Sequence, residues 1–126
     1  MVSEAVSFIS KEDLSGSLAD RNLTLVDVRL NWETSQTKIK HAVHEDVDDV
    51  AAWSSKYDKE APIVLYCSSP EQKTSREAAQ ELVNQGFKNV KVLRGGWGVW
   101  NSAGLPVQNR IKGPSPKGFV KDVLKD

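Results

Sequence analysis

Three short apolar runs, rich in β-branched residues, constrain the fold of this 126-residue chain more than any other feature. They are LTLVDVR at 23–29, PIVLY at 62–66 and VKVL at 90–93. Their apolar character is typical of strands that are covered on both faces, as in parallel sheets. Helical patterns separate them. The sequence therefore predicts a doubly wound α/β domain, in which helices flank both faces of a parallel sheet and the crossovers are right-handed.

Weaker signals place the remaining elements. FIS at 8–10 and HAVH at 41–44 are predicted short strands. On a strand, His41 and His44 would point to opposite sides of the sheet, which disfavours a metal site formed by this pair. Ser10, with Asp13 three residues later, predicts a capped helix over the following residues. DVDDVAAWSSK at 46–56 is a further predicted helix. Another should follow the Thr74–Glu77 capping box and end at Gly86.

The chain length suits one compact domain, predicted to span residues 1–107. After Val107 the composition changes to NRIKGPSPKG, a linker by its Gly, Pro and Ser content. The last residues, FVKDVLKD, suggest a short amphipathic helix. Residues 108–126 are thus a predicted linker and tail, which either docks on its own domain, pairs with another chain or frays.

Charge and cysteine content exclude several classes of protein. Lys plus Arg and Asp plus Glu number 17 each, which argues against general electrostatic binding to nucleic acid or to an anionic membrane. Neither a membrane-spanning run nor a basic, apolar leader is apparent. The single cysteine excludes an internal disulfide and a cysteine-rich zinc site. A reducing cytoplasm is the predicted location.

That single cysteine, Cys67, ends the apolar run 62–66 and starts a polar loop that leads into the predicted helix at Thr74. In open α/β sheets ligands bind beyond the carboxyl ends of the strands. Amide groups of such a loop and the start of a helix favour a thiolate, and they would also hold a persulfide anion. The sequence therefore predicts a reactive, solvent-facing sulfur. The alternative is an inert core cysteine.

Four segments taken together resemble the rhodanese family of sulfurtransferases. They are LVDVRLNWE, KIKHA, VLYCSS with TSREAAQELVNQGF, and VLRGGWGVWNSAGLPV, and they span about Ile9 to Val107 in the family's order. The resemblance implies a five-stranded parallel sheet between helices. It also implies a cysteine nucleophile, by position Cys67, that takes sulfane sulfur as a persulfide and passes it to an acceptor.

The predicted substrates are a small anionic donor, such as thiosulfate or a persulfide, and a cyanide or thiol acceptor, including a protein thiol. No metal or organic cofactor is needed. The residues expected to bind substrate are Ser68, Ser69, Glu71, Gln72, Lys73, Thr74, Ser75 and Arg76. Supporting roles are expected for Asp27, Arg29, Glu33, Arg94 and Trp97, with Arg29 paired to Glu33.

The active-site loop CSSPEQKTS is longer by two residues than the common rhodanese loop and contains Pro70, which lacks an N–H. Two other functions therefore stay open. The first is a non-catalytic rhodanese-like module that binds a partner or senses redox state. The second is a phosphatase or arsenate-reductase-like enzyme. It is disfavoured because Lys73 occupies the place of the arginine that those enzymes use, and lysine cannot form a bidentate fork with a phosphoryl group.

Overall fold

A parallel sheet forms the centre of the fold in this computed structural model, which describes residues 6–30, 35–68 and 73–109. The strands of the described residues are β1 (Ser7–Ile9), β2 (Thr24–Asp27), β3 (Thr37–Ile39), β4 (Val43–His44), β5 (Ile63–Tyr66), β6 (Val90–Leu93) and β7 (Val107–Asn109). Five of these described strands form the main sheet in the order β1-β6-β5-β2-β4, and all of its pairs are parallel. The predicted doubly wound α/β fold is confirmed.

Helices cover both faces of this sheet. In the described ranges they are α1 (Lys11–Ser17), a 3₁₀ turn (Val47–Asp49), α2 (Val50–Ser54), α3 (Lys73–Asn84) and α4 (Gly96–Ser102). Apolar residues of α2 and α3, including Trp53 and Leu82, pack with Leu65 on one face. On the other face Leu14 of α1 and Trp100 of α4 pack with Val64. The central strand β5 is buried along its whole length, as its apolar run predicts.

Two predicted helix ends are confirmed by their hydrogen bonds. The side chain of Ser10 accepts a hydrogen bond from the Asp13 N–H and caps α1. Gly86 has a φ of 102° after the end of α3. The Phe87 N–H donates to the Leu82 carbonyl and the Gly86 N–H to the Val83 carbonyl, which is the Schellman arrangement.

Two other local predictions were wrong. His41 lies in a turn with a φ of 73°, and the strand after it contains only Val43 and His44. Helix α3 already includes Lys73, so Thr74 is inside the helix and not its cap. The helix predicted at 46–56 is confirmed but is shorter, since a 3₁₀ turn continues into α2, and Asp46 caps the turn by accepting a hydrogen bond from the Asp48 N–H.

A small antiparallel pairing, β3 with β7, was not predicted. Val107 pairs with Ile39 and Asn109 with Thr37, so β7 includes two residues that the sequence placed in the linker. Both strands are only three residues long and one of them is wholly exposed, which gives them little apolar pattern. The rest of the predicted linker and tail lies outside the described residues.

Candidate active site

Cys67 directly follows β5, the middle strand of the sheet. Because parallel strands share one carboxyl edge, the residues that follow β2, β5 and β6 all meet at this edge. Two hydrogen bonds fix the chain here. The Val28 N–H donates to the Tyr66 carbonyl at 2.9 Å, and the Trp97 N–H donates to the Cys67 carbonyl at 2.9 Å. The position of Cys67 is thus tied to α4.

The thiol of Cys67 is buried, with 2% of the residue exposed, and this differs from the solvent-facing sulfur that the sequence predicted. It belongs to the apolar cluster that also contains Val28 and Ala78. The physical reason is that Cys67 continues the inward alternation of β5 and points to the face that α3 covers. Its Sγ lies 3.3 Å from Oγ of Ser75, a fully buried residue of α3. A hydroxyl at that distance can donate a hydrogen bond to a thiolate.

The predicted amide cradle around the sulfur stays a prediction, because Ser69, Glu71 and Gln72 lie outside the described residues. Ser68 is exposed at the edge of the sheet. At the other end of the loop, Lys73 is exposed and its Nζ is 4.0 Å from a carboxylate oxygen of Glu77. Such a pair between exposed side chains is weak, so the ammonium group remains able to bind an anion.

Lys73 and Arg76 face different cavities. Lys73 and Thr74 line a groove of about 770 Å³ together with the 3₁₀ turn and Glu77. Arg76 borders a smaller cavity of about 220 Å³ beside Phe8. The guanidinium of Arg94 also approaches Phe8, lying 4.8 Å from the centre of its ring. The two cations near the start of α3 therefore line separate cavities.

A buried ionic cluster supports the strand ends next to Cys67. Arg29 and Asp27 are 2% and 1% exposed and form a two-pronged ion pair, in which Nη2 and Oδ2 are 2.7 Å apart. The same guanidinium also donates a hydrogen bond from Nη2 to the Thr37 carbonyl at 2.9 Å. The described partner of Arg29 is thus Asp27, while the predicted partner Glu33 lies outside the described residues.

Aromatic rings enclose the same cluster. The Arg29 guanidinium carbon lies 4.6 Å from the centre of the Trp97 ring and 5.6 Å from that of Tyr66. The Tyr66 hydroxyl donates to Asp27 at 2.9 Å and accepts from the Ile39 N–H at 3.1 Å. Burial, and next the nearby Asp27 carboxylate, raise the pKa of Tyr66 far above its usual value, so it remains a neutral donor. Asp27, Arg29 and Trp97 thus form one contact cluster with Tyr66, and their supporting role at the active site stays a prediction.

Sequence reasoning missed two parts of this region. The first is the Tyr66 hydroxyl. Its hydrogen bond to Asp27 depends on β2 and β5 being neighbours in the sheet, which the sequence alone does not show. The second is a cleft of about 560 Å³ beside Ser68, whose walls come from α4 and from Lys11. Its sequence signal is the glycine spacing of GGWG, which places Gly95 and Gly98 in the lining of this cleft. In the described part of the chain, no group of three His, Cys, Asp or Glu residues is placed to hold a metal ion.

Comparison with known proteins agrees with this architecture. The family model described as "Rhodanese-like domain" matches residues 10–103. The chain is 35% identical over 82 residues to thiosulfate sulfurtransferase GlpE of Coxiella burnetii, an alignment that covers 65% of this chain and 75% of that protein. A protein named sulfurtransferase, from Allochromatium vinosum, is 35% identical over 103 residues, which cover 81% of this chain and 94% of the relative.

Two solved structures have a fold similar to that of this chain. The rhodanese-like domain of the Anabaena sp. Alr3790 protein has a TM-score of 0.69 at 27% identity, covering 89% of this chain and 86% of that one. The BH2092 protein of Bacillus halodurans has a TM-score of 0.73 at 25% identity, covering 81% and 76%. The fold and the cysteine at the carboxyl edge define a rhodanese-type α/β domain. The chain belongs to the rhodanese-like domain family, whose members similar to it include named sulfurtransferases.

None of the helices in the described ranges has the length and apolar content that crossing a membrane would require.

Proposed function

We propose that this protein is a sulfurtransferase in which Cys67 carries the transferred sulfur as a persulfide. The observation that carries the proposal is the contact between Cys67 Sγ and Ser75 Oγ at the carboxyl end of the central strand. There the sulfur has beside it a hydroxyl that can donate to a thiolate, and hydrogen bonds to the Tyr66 and Cys67 carbonyls fix the backbone. The names of the relatives support thiosulfate as a donor.

The first half-reaction loads the enzyme. The Cys67 thiolate attacks the outer sulfur of thiosulfate, the sulfur–sulfur bond of the donor breaks, and sulfite leaves with the electron pair. In the second half-reaction cyanide or a thiol attacks the outer sulfur of the persulfide and restores the thiolate. The covalent intermediate predicts ping-pong kinetics. A reducing cytosol suits this scheme because the thiol must stay reduced between turnovers.

Burial of the sulfur adds a condition to loading. With 2% of Cys67 exposed, the side chains over Sγ must move before a donor makes contact. Cations near the loop assist the approach of a dianionic donor, and Lys73 is the cation that lies at the loop's end. Ser75 acts through the sulfur and is a positioning residue.

The test is intact-protein mass spectrometry after incubation with thiosulfate. We expect the wild type to gain one sulfur atom and to lose it as thiocyanate when cyanide is added. The Cys67→Ser variant should gain none and should have no transferase activity, because an alcohol does not replace a thiolate as nucleophile here. Full activity of Cys67→Ser would refute the mechanism.

The same burial also favours a second function, a rhodanese-like module that binds a partner or senses redox state without turnover. Such a module needs no donor access to Cys67. If thiosulfate, an organic thiosulfonate and an organic persulfide all fail to add sulfur to folded wild-type protein, the binding module becomes the better explanation.

A further inference from the structure

The groove that Lys73 and Thr74 line, here called the α3 groove, contains four carboxylates that the proposed function leaves unused. It measures about 770 Å³ and lies between two walls, one formed by the 3₁₀ turn with α2 and the other by α3. Carboxylates are present on both walls, and they belong to Asp48, Asp49, Glu77 and Glu81. Of the four, only Glu77 has a cation of the described residues within 4.0 Å, which is Lys73. The lining of the groove therefore has a net negative charge.

The α3 groove also contains an exposed apolar side chain. Leu30, which lines it, is 73% exposed and is the most exposed large apolar residue of the described chain. The other apolar residues of the lining are Val47, Val50, Ala51 and Ala78. A single exposed leucine is ordinary on a protein surface. Beside four carboxylates, however, the apolar lining suits an amphipathic segment that carries positive charge.

Residues 110–126, here called the basic tail, have the composition that such a groove would bind. Five cations and two carboxylates give the basic tail an excess of positive charge. The cations are Arg110, Lys112, Lys117, Lys121 and Lys125. The helix predicted for FVKDVLKD would have an apolar stripe, because its apolar residues are spaced i, i+1, i+4 and i+5. They are Phe119, Val120, Val123 and Leu124.

Two contacts connect the end of the described chain with the α3 groove. Asn109, the last described residue, pairs with Thr37 of β3. The Thr37 carbonyl accepts a hydrogen bond from Arg29, and the residue after Arg29 is Leu30, which lines the groove. Nine residues, 110–118, separate Asn109 from the predicted tail helix. Such a length can extend about 30 Å, the diameter of a small domain, so the predicted helix can reach the groove.

We propose that the basic tail docks in the α3 groove of its own chain. The apolar stripe covers Leu30, and the lysines of the tail helix face the carboxylates of the two walls. Tethering favours this occupant over a separate molecule, because a short linker gives the attached segment a high effective concentration at the groove. The inference goes beyond the proposed function, since docking requires no sulfur transfer. A basic segment of another protein would have to displace the tail before it could bind here.

Zero-length cross-linking of the full chain tests the proposal. A carbodiimide joins lysine amines to carboxylates that they contact, and mass spectrometry identifies the linked peptides. We expect Lys121 or Lys125 to be joined to the groove carboxylates with a yield at least about tenfold above that for Asp20 and Glu60, because docking raises the local concentration of these lysines. Asp20 and Glu60 are exposed outside the groove, so they measure chance encounters with the tail.

A matched pair of tail variants tests the apolar stripe. Leu124→Ser removes one residue of the stripe and leaves every lysine in place. It should weaken docking by about tenfold, because the burial of one leucine side chain has at least that effect, and the yield of groove cross-links should fall with it. Asp122→Ser, a change outside the stripe, is the control and should not lower the yield. Leu30→Ser should act like Leu124→Ser, and the exposure of Leu30 makes this substitution compatible with folding.

Other outcomes overturn the proposal. Groove cross-links that are absent, or no more frequent than those to Asp20 and Glu60, would show that the tail does not dock there. A yield that Leu124→Ser leaves unchanged would show that the stripe is not bound. In a mixture of unlabelled and isotope-labelled protein, groove cross-links that join the two species would assign the groove to the tail of a second copy. None of these results depends on sulfur loading, so the proposed function is tested separately.

Discussion

At the scale of single residues, the unusual feature of this domain is a buried charge. Arg29 contacts Asp27 through a two-pronged ion pair, the Thr37 carbonyl through a hydrogen bond, and two aromatic rings through its flat face. Lysine could not reproduce this geometry, because its ammonium is a point charge. Through Thr37 the same side chain also reaches β3, so one residue connects the end of β2 with the small antiparallel pairing.

Replacing Arg29 by a neutral residue should lower the stability of the domain. In Arg29→Met the carboxylate of Asp27 would stay buried without its partner, and we expect the free energy of unfolding to fall by about 3–5 kcal/mol. Chemical denaturation monitored by tryptophan fluorescence measures this. Arg94→Met is the control, since Arg94 is exposed and its contact with Phe8 is worth about 1 kcal/mol or less. Similar losses in the two variants would contradict a special role for the buried pair.

At the scale of elements, Gly95 and Gly98 at the start of α4 have opposite requirements. Gly95 has a φ of 84°, and a Cβ there would lie 2.3 Å from Cγ2 of Val99. Gly98 lies within the helix and faces open space. The first glycine is needed for the tight turn that brings the Trp97 N–H to the Cys67 carbonyl. The second is not required by the fold.

The two alanine variants should therefore change stability in opposite directions. We expect Gly95→Ala to lower the free energy of unfolding by at least about 2 kcal/mol, from the left-handed backbone and the overlap with Val99. Gly98→Ala should raise it by about 0.5–1 kcal/mol, as alanine is the better helix former. Thermal unfolding of both variants beside wild type is the measurement. A loss of stability in Gly98→Ala would mean that this glycine has a structural role after all.

At the scale of the whole molecule, the three apolar runs predicted the three inner strands of the main sheet, β2, β5 and β6, because strands buried on both faces are rich in apolar, β-branched residues. β6 was predicted residue for residue, and Ser10 and Gly86 marked helix ends through their own chemistry. The β3–β7 pairing escaped prediction because non-local contacts stabilise it. The burial of Cys67 escaped for a similar reason: it depends on α3 lying over the end of β5, which a motif does not reveal.

The pH dependence of stability is also a property of the whole domain, and His44 allows it to be tested. Burial lowers the pKa of His44 from its usual 6.5, although the carboxylate of Asp27 opposes the shift. The unfolded chain therefore binds a proton near pH 6.5 that the folded domain does not yet bind. By linkage, this contribution to stability is fully present above the unfolded pKa and is lost as the pH falls towards the lowered folded pKa.

We accordingly expect the free energy of unfolding of wild type to decrease between about pH 7.5 and about pH 5.5, with part of that slope due to His44. His44→Gln cannot titrate and should show a shallower slope than wild type over this range. His41→Gln is the matched control, because it makes the same substitution at a histidine in an exposed turn, and His44→Gln should have the shallower slope of the two variants. Urea unfolding at a series of pH values gives the slopes. If the two glutamine variants had the same slope, the pH dependence would have to come from groups other than the partly buried imidazole of His44.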